Sequence, residues 1–260
     1  MVVVLVLGGL SYANIGRTGG GWSGSGEGWS FLGSGAPRPT PVRATTTTPL
    51  GTPPPAPDQP GGFGFIATQS DGETPVAYDP CRPIHVVVNR RTAPSIAARL
   101  LEESLDEITA RTGLTFVLEG FTSEPAVEER PPFQPDRYGD RWAPVLVAWT
   151  DPDELPELAG EIVGLGGSSW LEHESGTSVF VSGMVYLDGP DFAEILRHPD
   201  GWQQARAIML HELGHLVGLD HVDDQRQLMH HRSHRFVVDF GSGDLAGLAR
   251  LGSGTCVDRL

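Results

Sequence analysis

Apolar residues along this chain fall into blocks of two different periods, and the blocks begin only near Tyr78. "IHVVVN" (Ile84–Asn89) is a short β-branched run, the pattern of a buried strand. In "TAPSIAARLLEESLDEITARTG" the period changes. Ile96, Leu100, Leu101, Leu105 and Ile108 recur at helical spacing, Thr92 offers a cap, Pro94 sits in the first turn and Gly113 ends it. "LTFVLE" (Leu114–Glu119) returns to strand. Strand, helix, strand predicts a parallel pair joined by a crossover. Beyond a polar, Pro-rich loop (about 120–143), strands are expected at Ala143–Thr150, within "EIVGLGGSSW", and at Ser178–Asp188. A short helix follows over Phe192–Arg197. Asp200 then caps a longer one, "GWQQARAIMLHELGHLVG", with Ile208, Leu216 and Val217 toward the core and Gly218 as its end. A last helix lies near Asp244–Leu251. The fold class is α+β, with a twisted, mostly parallel mixed sheet of about five strands.

The first 77 residues lack this patterning. "MVVVLVLGGL" is too short to span a bilayer and reads as the apolar part of a signal peptide, cleavable after Ser11-Tyr12-Ala13, or as an anchor. Residues 14–77 are Gly-rich and then Pro/Thr-rich, so they are expected to be a disordered linker with a semi-stiff, extended second half. The folded domain is thereby placed at 78–260.

Composition narrows the partners. A formal net charge of −15 over 260 residues is repelled by nucleic-acid phosphates and anionic lipid, so neither is expected. A membrane would be met only through the N-terminal segment. Cys81 and Cys256 form no C-x-x-C pair and flank the patterned region. A disulfide between them fits an exported protein, and two unrelated thiols are the alternative.

The chemistry is concentrated in "HELGHLVGLDH", His211–His221, which holds three of the nine histidines. Residues four apart share a helix face, so His211 and His215 present two imidazoles suited to one Zn²⁺ ion. Glu212 is poorly placed to ligate but well placed to reach a metal-bound water. Gly218 can take a positive φ and turn the chain back, bringing His221 in as third ligand and leaving a fourth position for water.

H-E-x-x-H-x-x-G-x-x-H resembles the signature of the metzincins, a clan of zinc endopeptidases, and the strand–helix–strand order resembles their matrixin-like branch. The resemblance covers roughly residues 78–256. It implies a zincin-like fold, Glu212 as general base, and a methionine turn beneath the metal, for which Met229 in "QLMHH" fits. It also implies a peptide substrate extended along a sheet edge supplied by "EIVGLGGSSW" or "SVFVSG", with the loop Val222–Phe236 walling the pocket after the cut. A secreted or surface-tethered monomer is the expected form. Two features depart from matrixins. Val222 replaces the serine that follows the third histidine, and no zinc-blocking cysteine segment is recognisable. His231 stands where some metzincins carry a tyrosine that assists the transition state, while His173, His198, His230 and His234 read as surface residues. Ca²⁺ is conceivable at Asp188, but one carboxylate makes no calcium site. A zinc amidase acting on cell-wall peptides and a non-catalytic metal-containing binding module are the competing readings.

Overall fold

The computed structural model describes residues 30–33 and 35–260. The apolar run 1–13 and the Gly-rich stretch up to residue 29 lie outside the described residues. In chain order the elements are β1 (Ser30–Leu32), β2 (Gly64–Phe65), β3 (Ala77–Tyr78), β4 (Ile84–Asn89), α1 (Ala97–Thr112), β5 (Phe116–Phe121), α2 (Pro135–Tyr138), β6 (Val145–Thr150), β7 (Gly164–Glu172), β8 (Ser178–Asp188), α3 (Gly189–Ile195), α4 (Gly201–Val217), β9 (Leu219–Asp220) and α5 (Ser242–Leu251).

Seven strands make the main sheet, in the order β1-β7-β8-β6-β4-β5, with β3 also beside β8. All pairs are parallel except β7–β8. The expected mostly parallel mixed sheet is therefore present, with two more strands than the sequence pattern showed. These are β1 and β3, which are too short to leave an alternating signature. On one face α1 and α4 bury a core built around Trp149, Phe180, Phe192, Leu100 and Ile108. On the other, Leu146, Ala148, Met184 and Tyr186 pack beneath the loops carrying Ala126, Leu155 and Leu158.

Two expected caps are not used as such. Thr92 does not start α1. Its hydroxyl donates to the Thr150 carbonyl at 2.7 Å, tying the end of β4 to the end of β6, and the helix begins at Ala97 without a side-chain cap. Asp200 precedes α4, but its carboxylate accepts from Arg235 Nε at 2.8 Å and does not cap. Gly113 does close α1, at φ 71°. β5 starts two residues later than the pattern suggested, with Phe116 opposite Ile84, and its register shifts between Val86 and Val87, leaving Glu119 as the extra residue.

The larger correction concerns the second half of the expected linker. From Thr40 the chain lies on the domain as an extended strap. Val42 and Leu260 exchange backbone hydrogen bonds at 3.0 and 3.2 Å, Ala44 N donates to Asp258 O, and Leu50 N donates to Pro80 O. β2 pairs antiparallel with β9, and Phe65 and Ala67 pack against the main core. A Pro-rich segment cannot build a core alone, but it can dock on one when the domain supplies the pairing partners. Cys81 and Cys256 are joined, with sulfurs 2.02 Å apart, fastening the start of β4 to the chain after α5. No helix among the described residues is long and apolar enough to cross a membrane.

Candidate metal centre

Helix α4 is buried nearly all round. Ala205 and every residue from Ala207 to Val217 are inaccessible, including His211, Glu212 and His215. Its end is set by Gly218, whose φ of 121° favours glycine and where a Cβ would come within 2.9 Å of Leu251 and 3.0 Å of Phe180. The reversed chain runs into β9, is pinned by β2, and delivers His221.

The three imidazoles converge. Nε2–Nε2 separations are 3.1 Å for His211–His221, 3.1 Å for His211–His215 and 3.0 Å for His215–His221. Nδ1 of His211 donates to the Leu228 carbonyl and Nδ1 of His215 to the Leu219 carbonyl, both at 2.8 Å. A carbonyl only accepts, so both Nδ1 atoms carry the proton, and in a neutral ring Nε2 then holds a lone pair. Burial keeps the rings neutral. It lowers the His211 pKa to about 4 and the His221 pKa to about 3, and holds His215 well below its ordinary value. Lone pairs meeting at hydrogen-bond distance repel unless a cation sits among them. The donor set, three nitrogens open on one side, fits a divalent ion such as Zn²⁺ at about 2.0–2.1 Å from each.

Glu212 follows His211 on α4 and lies in the same buried stretch. Both carboxylate oxygens are buried and without a hydrogen-bond partner, and burial raises its pKa to about 8. Met229 is buried against Gly214, between the two helix histidines. A Cβ there would lie 2.6 Å from Met229 Sδ, so the glycine makes room for the thioether. Met229 O accepts from Val222 N at 3.0 Å, closing the 222–229 turn just after His221.

His231 stacks on His230 with ring centroids 4.3 Å apart and lies near enough to His221 to disfavour its protonation. Its own pKa is lowered by partial burial and by His230. His173 turns to Ser175 in a surface loop. Asp188 caps α3, accepting from Asp191 N at 2.9 Å.

Three supporting groups escaped the sequence reading. Asp244 Oδ2 accepts from Leu228 N at 2.6 Å and Gly241 N at 2.9 Å, so it anchors Leu228, the residue whose carbonyl orients His211. Gln227 Oε1 accepts from Gly243 N at 2.9 Å. Gly164 and Gly166 of β7 lie against Glu212. An acidic residue three positions after Gly241 at a helix start was the only available hint of Asp244. No protein-family model matches the sequence, and no curated protein matches it either.

Proposed function

We propose that this protein is a zinc-dependent endopeptidase of the metzincin type, matrixin-like in architecture and exported or tethered at the cell surface. The observation that carries the reading is the convergence of three Nε2 atoms, two of them fixed as acceptors by carbonyl-bound Nδ1 atoms, beside a buried glutamate with no partner among the described residues. A structural zinc takes four protein ligands, and this cluster supplies three. That difference favours a working site over a purely structural one.

Zinc held by His211, His215 and His221 would lower the pKa of a water and polarise a carbonyl. Glu212 takes the proton of the attacking water and returns it to the leaving amine. β1 covers β7 only at Ser169–Leu171, so among the described residues the 164–168 part of β7 is the edge along which an extended peptide would pair, and Met229 forms the floor beneath the imidazoles. The Cys81–Cys256 bridge suits an oxidising compartment.

The test is direct. Purified protein carries one zinc per chain, cleaves a mixed peptide library at internal bonds, and loses cleavage on chelation with recovery on zinc addition. Protein that binds no transition metal, or that binds zinc and leaves every peptide intact, overturns the proposal.

A further inference from the structure

Glu212 has no hydrogen bond to hold it, so packing alone decides where its carboxylate sits. The wall of that space is β7. A Cβ on Gly164 would lie 2.7 Å from Glu212 Cγ, 2.9 Å from Oε1 and 3.0 Å from Cδ, closer than real Cβ contacts come. Gly164 is not among the positive-φ glycines, so its backbone conformation would accept any L residue. The glycine is required by space and not by conformation. Gly166, two residues on, differs. There a Cβ would meet the Glu212 carbonyl oxygen at 2.2 Å and its carbonyl carbon at 2.9 Å. Gly166 sets how closely helix and strand approach, whereas Gly164 faces only the side chain.

Resting on the peptidase reading above, we infer that Gly164 is a positioning residue for Glu212. Its bare Cα leaves the notch in which the carboxylate reaches the reacting water and, later, the leaving amine. A methyl group at this position displaces the flexible carboxylate and leaves α4 and its histidines in place. General-base chemistry depends on hydrogen-bond reach, and a displacement of about 1 Å costs on the order of 10²-fold in rate.

Gly164→Ala is therefore expected to lower kcat about 100-fold with KM, zinc content and thermal stability of the metal-free protein unchanged. Gly166→Ala, in contrast, lowers thermal stability, because backbone atoms must move. In a Glu212→Ala background, already slow, adding Gly164→Ala costs little further, because no Cγ is left to meet the methyl group. Two probes read the same point without turnover. A peptide hydroxamate, which needs the Glu212 carboxylate as a hydrogen-bond partner, binds zinc-loaded Gly164→Ala about tenfold more weakly. A peptide thiol, which needs only the metal, binds as before. An unchanged kcat, an equal penalty in the Glu212→Ala background, a stability loss matching that of Gly166→Ala, or equal weakening of both probes overturns the inference. Wild-type protein that binds zinc and both probes but cleaves nothing overturns the peptidase reading, while the ratio of probe affinities still decides the role of Gly164.

Discussion

Helices α1 and α4 are of nearly equal length and pack against each other, yet they are built on opposite rules. α1 buries one stripe, Leu100, Leu101, Leu105 and Ile108, and gives its other face to water and to the surface pairs Arg99–Glu103 and Arg111–Glu107. From Ala207 to Val217 α4 is enclosed on all sides, and it carries three ionisable groups, His211, Glu212 and His215, into that enclosure. The first helix is arranged for stability, and the second accepts a stability cost, since a buried carboxyl without a partner is unfavourable. The comparison teaches where chemistry resides in this fold: in the element whose polar residues have no structural excuse.

Three experiments break or sharpen that contrast. The largest effect belongs to Glu212→Gln. Peptide cleavage is expected to fall by roughly 10²–10⁴-fold with zinc still bound, measured by turnover and metal content. The same variant should melt at a higher temperature than wild type at pH 9 when metal-free. Burial raises the wild-type carboxyl pKa to about 8, so stability is lost as pH climbs from the ordinary glutamate value through 8, and Gln has no proton to lose. A lower melting temperature for the variant would contradict the contrast between the helices.

Next comes Leu100→Ala in α1. Leu100 is fully buried, and truncation should cost about 2–5 kcal/mol by denaturant unfolding, with kcat unchanged below the melting point. A fall in kcat larger than the loss of folded protein would show that α1 also shapes the site. The smallest effect is acid sensitivity of the metal-free protein. The unfolded chain binds a proton near pH 6.5 that buried His211 refuses until about pH 4. Stability therefore drops as pH falls through that window, on the order of 3 kcal/mol for this residue. Zinc, which binds only the unprotonated rings, should carry the slope on to lower pH, and a flat profile without metal would mean that the rings are not held neutral by burial.

Legibility followed the same division. α1, β4, β6 and β8 were readable because a period or a β-branched run reports a face, and Ile84–Asn89 and Ser178–Asp188 carry the boundaries the pattern suggested. The convergence of the three histidines was readable because helical spacing and a glycine stop fix geometry over eleven residues. What stayed hidden depends on contacts distant in sequence. Asp244 reaches Leu228 across 16 positions, and Gly164 meets Glu212 from another layer. Nothing local distinguishes either from an ordinary turn acid or a strand glycine. The strap was misread because composition reports whether a segment can fold alone, not whether it can lean on something that already has.

That strap has a practical consequence. The chain beyond Gly218 owes its path to β2. Gly64 lies opposite Asp220, Phe65 lies opposite Leu219, and Ile66 N donates to Gly218 O at 3.1 Å. A trimmed protein beginning at Tyr78 would keep the two imidazoles on α4 but lose the splint that aims His221. The smallest piece able to grip an ion with all three rings thus begins upstream of Gly64, and a designer choosing where to cut should leave that tether attached.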